Sequence, residues 1–266
     1  MAEWNSADWN SMGAALVLAL VRVSSMIALA PFFVSRAIPT RTKALFSFAV
    51  CVLLVPTIAV AAAKGNGAGV ELSFEGILGE AAIGVIYGLT LSLLNEMLLI
   101  AGQIVGLQFS FSLVNLLDPA SEIQTPLMGD LFQMMGTLVL ITAGLDRLLL
   151  ASMVRSVRAV PLGSFPLAAI SVSAKALVPM LSGSFFAALE LAAPVLAATV
   201  LVEISVALLG KLSPQLPVVA LTVPSKTLTG FVLLIGSLAL WPRFIEARFS
   251  NLLDVAERLI AHGGRG

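Results

Sequence analysis

ALVPMLSGSFFAALELAAPVLAATVLVEISVALLG, residues Ala176–Gly210, holds two charged side chains, Glu190 and Glu203, in 35 positions. A bilayer crossing takes about 20 residues, whereas a straight helix over this stretch would be about 52 Å long. Pro179 and Pro194 lie inside it, so the stretch predicts a helix that is either kinked or much taller than a bilayer. The whole chain is of the same kind. Its 266 residues are 59% hydrophobic and 11% charged, with mean hydropathy +1.02, where a soluble domain carries about 25% charged residues. Other apolar runs are Met12–Val34 around Arg22, Ala44–Ala63 around Pro56, Gly76–Ala101 with Glu80 and Glu96, and Val218–Trp241 with Lys226. The run Leu131–Ala143 meets Asp146 and Arg147 after about 22 Å of helix, which suits a buried or re-entrant segment better than a lipid-facing span. MAEWNSADWNSM ahead of the first run has no basic residue, the wrong flank for a cleaved secretory signal, so that run is expected to be retained.

The inventory excludes several functions. Fifteen basic and 15 acidic residues without a Lys/Arg-rich run leave nothing to neutralise a nucleic-acid backbone. The one histidine, His262, lies in the tail AHGGRG, so no His-based metal site or Ser-His or Cys-His pair is available. Cys51, alone in an apolar run, reads as a small hydrophobe. Asp130 has no second apolar-run Asp to form a carboxylate dyad and reads as a polar helix start.

Charges inside apolar runs carry more meaning. Arg22 sits about 15 Å from either end of its run, too far to snorkel with ease, and should face protein or water. Either an ion pair within an assembly or a direct part in a pathway would satisfy it. Glu80 with Glu96, and Glu190 with Glu203, fall on different sides of their helices. That scatter weakens a secondary transporter, the alternative reading, in which Arg22, Glu80, Glu96, Glu190, Glu203 and Lys226 would gather at the midplane. Connections 35–43 and 144–175 each sum to +3, 64–75 to −1 and 102–130 to −3. A serpentine with the N-terminus outside then gives 144–175 the wrong sign for the positive-inside rule.

Residues 101–130, AGQIVGLQFSFSLVNLLDPASEIQTPLMGD, combine Gly102, Gly106, Pro119, Pro126 and Gly129 with Ser, Gln and Asn. The composition resists continuous helix yet is too apolar for a solvated loop. It reads either as a re-entrant packing loop or as a constriction whose occluders are Phe109 and Phe111, on one side if the backbone is extended. Arg243–Ala261 carries Phe244, Leu252, Val255, Leu259 and Ile260 at near-helical spacing, an amphipathic helix for an interface or for docking.

Four ordered blocks, Arg22–Pro56, Ala101–Pro126, VPLG at Val160–Gly163 and LGKLSPQLPVVALTVPSKTLTG at Leu209–Gly230, resemble the FliR/SctT family of type III secretion export-apparatus proteins. The resemblance implies an all-α membrane-associated fold of long kinked helices and helical hairpins with a re-entrant plug loop. It implies one helical export-gate domain, with a FliP-like part over 1–165 and a FliQ-like hairpin over 176–255. It implies a non-enzymatic subunit of the bacterial inner-membrane export gate, at a flagellar basal body or an injectisome, without bound cofactor. Partners implied are FliP-like and FliQ-like gate subunits, an FlhB-like switch protein, an FlhA-like export protein, unfolded exported substrates and membrane lipids. The family's plug motif falls on Gly106, Gln108, Phe109, Phe111, Asp118 and Pro119, in a loop of about residues 106–122 that would seal the lumen. Arg22, Pro31 and Arg36 match its N-terminal motif; Lys211, Pro214 and Gln215 match its hairpin turn. This chain departs from the family at Ser110, where glycine is common, and at Leu145-Asp146, where a glycine-rich corner is followed by histidine; no role transfers to Asp146.

Overall fold

The computed structural model describes residues 6–29, 39–64, 72–109, 127–166, 168–213, 215 and 217–263. Among them all regular structure is helical: α1 (Ser6–Leu29), α2 (Thr40–Lys64), α3 (Phe74–Gln108), α4 (Leu127–Thr142), α5 (Leu145–Ala159), α6 (Ala168–Leu212), α7 (Val218–Ser237) and α8 (Trp241–Gly263), the last two joined by a 3-10 turn at Leu238–Leu240. Three stretches, Phe74–Gln108, Ala168–Leu212 and Ala220–Gly263, are long and apolar enough to cross a membrane. The chain forms two compact units. One comprises Met1–Leu94, Gly144–Leu181 and Arg248–Gly266, the other Asn95–Ala143 and Ser182–Ala247.

In the first unit, α1 turns one face inward through Leu18, Ala19, Arg22, Val23, Met26 and Ile27. It meets α3 at Gly84 and Gly88, where a Cβ on Gly84 would strike the Ser25 hydroxyl and the Arg22 carbonyl, and one on Gly88 would meet Leu29. Small residues four apart let two helix backbones approach closely, which in hydrocarbon is the main source of helix association. α1 also packs on α2, and α2 on α5. α5 buries Leu145, Leu149, Ser152, Met153 and Ser156, one stripe of an amphipathic helix. Gly144 precedes it in the left-handed region at φ +70, ending α4 where a side chain would be strained. From its entry at Arg248, α8 buries Phe249, Leu253, Ala256 and Ile260. The buried stripe therefore lies beside the expected one: Phe244, Leu252, Val255 and Leu259 are its half-buried flanks, and only Ile260 lies on it.

The second unit is built on the later half of α3. A Cβ on Gly102 would collide with the backbone of Met128 and Gly129 in α4, and one on Gly136 with Leu98. Phe132 of α4 meets Trp241 with ring centroids 4.6 Å apart. The outer face of α4, Leu127, Leu131, Met134, Leu138 and Ile141, is exposed, so the expected buried segment is buried on one side only.

One expectation for helix continuity is corrected and another is met. Residues 101–108 belong to α3, because Gly102 and Gly106, taken for helix breakers, are packing residues against Met128 and Gly129. Of the two readings of 176–210 the taller one is met, since α6 runs through Pro179 and Pro194 as one helix of 45 residues. Apolar surroundings keep its other backbone hydrogen bonds, so the loss of two donors does not end it.

Candidate functional site

Arg22 and Glu80 lie at the centre of the first unit, 3% and 0% exposed. The guanidinium donates in a fork: Nε to Glu80 Oε2, and Nη2 to Glu80 Oε1 at 2.9 Å. Its remaining hydrogens reach Ser156 Oγ at 3.2 Å and the Val160 carbonyl at 3.3 Å. Glu80 Oε1 also accepts the Gly163 N–H at 2.9 Å, and the Ser156 hydroxyl passes its own hydrogen to the Met153 carbonyl at 2.8 Å. Two opposite charges in bidentate register cancel, and the surrounding dipoles take up the residual donors and acceptors. No buried side-chain N or O among the described residues lacks a partner.

The network explains the VPLG block. Val160 contributes a carbonyl and Gly163, at φ +76, an amide that only a left-handed turn aims at Glu80. One ion pair thus ties α1, α3, the end of α5 and the turn entering α6. Of the two roles open to Arg22, the structure places it in a pair inside its own chain.

The second unit holds the start of the expected plug motif. Gly106 and Gln108 are half-buried in the last turns of α3, and Phe109 N–H still donates to the Val105 carbonyl at 3.2 Å. Phe109 is 3% exposed; its ring stacks on Phe231 of α7 at 4.7 Å between centroids and 27° between planes. Gly230 makes room, since a Cβ there would enter the Phe109 ring. Gln108 Oε1 lies 3.3 Å from Thr199 Oγ1 of α6. One turn further along α6, Glu203 accepts from Lys226 Nζ of α7. The lysine is buried and the carboxylate half-exposed. Phe109 is therefore a helix end packed within its own chain rather than part of an extended segment.

Phe111, Asp118 and Pro119 of the same motif lie outside the described residues, as do Pro31, Arg36 and Pro214. Lys211 lies in the last turn of α6 and Gln215 sits in the following turn, both exposed. Ser213 N–H donates to the Leu209 carbonyl at 2.9 Å and Leu221 N–H to the Pro217 carbonyl at 3.2 Å, closing one helix and opening the next as expected. Among the described residues no group of His, Cys, Asp or Glu could hold a metal ion. Sequence reading missed Ser156, Thr199 and Phe231, and it singled out Val160–Gly163 as a block of the resemblance without a role. It compared Glu80 with Glu96 and left the partner of Arg22 open, which is Glu80, 58 residues away.

These features define a helical membrane protein whose interior charges are neutralised in pairs. The sequence matches the model of the family described as Bacterial export proteins, family 1, over residues 14–252, and the chain belongs to that family. It is 26% identical to the flagellar biosynthetic protein FliR of Escherichia coli, covering 98% of each chain. It is 25% identical to the FliR of Bacillus subtilis, over 93% of this chain and 95% of that one, and 27% identical to the FliR of Caulobacter vibrioides, over 91% and 94%.

Proposed function

We propose that this chain is a non-enzymatic subunit of a flagellar protein export gate in the bacterial inner membrane. In this reading it lines part of the channel for unfolded substrates and closes it with the segment from Gly106 to about residue 122. The observation that carries the reading is the family match over 14–252, with relatives of matching length all named for flagellar biosynthesis. The geometry contributes the anchor. Phe109, stacked on Phe231 over the bare backbone of Gly230, supports the reading by holding the end of α3 where the expected plug segment begins. A FliP-like part over 1–165 and a FliQ-like hairpin over 176–255 belong to the same reading. So do FliP-like and FliQ-like subunits, an FlhB-like switch protein and an FlhA-like export protein as partners. Arg22 and Glu80, Lys226 and Glu203 are consumed in separate ion pairs, which takes four of the six groups from a transporter's midplane site.

The test has two parts. Tagged protein taken from its cells in mild detergent should retain stoichiometric FliP-like and FliQ-like polypeptides at high salt; a homogeneous monomer or homodimer refutes the assembly. In the assembled gate, Phe109→Gly with Phe111→Gly should leak ions. Conductance equal to wild type refutes the plug.

A further inference from the structure

Beneath the turn that Arg22 and Glu80 hold, α5 and α8 border an open cleft of about 590 Å³ within the first unit. Its lining includes three guanidiniums, Arg155, Arg158 and Arg258, and two carboxylates, Asp254 and Glu257, with Tyr87 as the aromatic wall. Arg155 is committed: its Nε and Nη2 donate to Glu257 Oε1 at 3.0 and 2.7 Å, and the same oxygen accepts from the Ser152 hydroxyl at 2.7 Å. The Ser152 hydroxyl in turn lies 3.2 Å from the Tyr87 hydroxyl. That cluster fixes the floor and wall and cancels one charge of each sign. Arg158 and Arg258 remain, exposed and without an ion pair among the described residues, against the single charge of Asp254. The cleft therefore carries one net positive charge and offers two planar donor forks from facing helices.

We infer that this cleft is a binding site for a phosphodiester monoanion, gripped by Arg158 and Arg258. Paired guanidiniums match phosphate oxygens in geometry, and Arg holds them bidentately where a carboxylate partner is absent. A net charge of +1 suits one negative charge and not a doubly charged phosphomonoester. The volume falls in the range of about 300–1,000 Å³ common for small-ligand sites. Two sources share this chemistry: the headgroup of an anionic phospholipid and a free phosphate compound. Cationic pockets on membrane proteins take lipid headgroups in this manner.

The test uses the protein in its native assembly, delipidated in detergent. Phosphatidylglycerol, phosphatidylcholine and dimethyl phosphate are titrated separately and bound lipid is counted by native mass spectrometry. Saturable binding of phosphatidylglycerol, weakened at least about 10-fold by Arg158→Gln with Arg258→Gln and unchanged by Arg243→Gln, supports the site with a lipid occupant. Displacement by millimolar dimethyl phosphate, a soluble diester monoanion, supports it with a free anion. Asp254→Asn, which raises the cleft to two net charges, should tighten binding and keeps the proposal testable if the double arginine variant does not fold. No phosphatidylglycerol or dimethyl phosphate binding, indifference to Asp254→Asn, or loss of an acidic partner protein from the arginine variant with lipid binding unchanged would each overturn it.

Discussion

Glu80→Ala removes the carboxylate that neutralises Arg22 and leaves the guanidinium 3% exposed with a serine hydroxyl and one carbonyl as its acceptors. Breaking a buried pair by deleting one partner costs about 3–5 kcal/mol, because the remaining charge keeps its desolvation penalty and loses its Coulomb partner. The Gly163 amide loses its acceptor as well, a further cost of about 1–3 kcal/mol if water does not reach it. Taking the ion-pair term alone, at about 2–4 °C per kcal/mol for a chain of this size, the midpoint should fall by about 6–20 °C. Thermal unfolding in detergent, followed by far-UV circular dichroism, is the assay. Arg22→Met combined with Glu80→Met supplies the control. Both charges go, apolar bulk replaces them, and the residual cost is the orphaned Gly163 amide, about 1–3 kcal/mol. The double variant should thus be more stable than Glu80→Ala alone. A Glu80→Ala loss under about 1 kcal/mol, where exposed pairs fall, or a double variant worse than either single, would refute the reasoning.

Three other perturbations have defined outcomes. Glu203→Gln should destabilise more than Lys226→Met, about 2–3 against under about 1 kcal/mol, because Lys226 is the buried member while Glu203 is half-exposed; thermal midpoints of the two variants decide it, and the reverse order would refute it. Gly230→Ala puts a methyl group into the Phe109 ring and should expel it from Phe231. A cysteine at position 109 would then react faster with maleimide in the Gly230→Ala background, and an unchanged labelling rate would show that the stack does not depend on Gly230. Gly144→Ala should cost about 1–2 kcal/mol in chemical denaturation, all of it from backbone at φ +70, since no atom lies within 4 Å of the new Cβ.

Fold class was legible because hydropathy sets it. Long runs of apolar residues around isolated charges read as helices at membrane depth, and the described part of each lies in helix almost throughout. The hairpin turn at Ser213 to Pro217 was legible for a local reason, since proline marks helix starts. What stayed hidden was pairing. Arg22 announced that it needed a partner, but nothing local distinguishes Glu80 from Glu96, because the choice is made by α1 approaching α3 at Gly84. The same glycines misled the reading of residues 101–108. In water Gly102 and Gly106 weaken a helix by about 1 kcal/mol each relative to alanine, whereas between apolar helices their missing side chains let backbones touch. Phe109 was legible as an important apolar residue and not as a packed one, since Phe231 and Gly230 lie over 100 positions away.

α6 links the physical chemistry of the chain to its place in an assembly. Exposed apolar side chains run along it from Val178 to Leu212, with Leu201 64% and Leu212 80% exposed, and that interval is about 51 Å of helix. Hydrocarbon about 30 Å thick covers such a stripe only if the helix tilts beyond about 50°, outside the range of about 0–40° seen for membrane helices. Water is no alternative cover, because each exposed leucine would forgo about 1.5–3 kcal/mol of burial. In the proposed export gate, protein from other components would cover the excess, a need that a self-sufficient transporter does not have. The charge sums have a separate cause: the positive-inside rule counts charges on connections between crossings, whereas 144–175 contains the amphipathic α5, so its sum of +3 is largely the charge of a helix face and not of a loop to be weighed against 35–43.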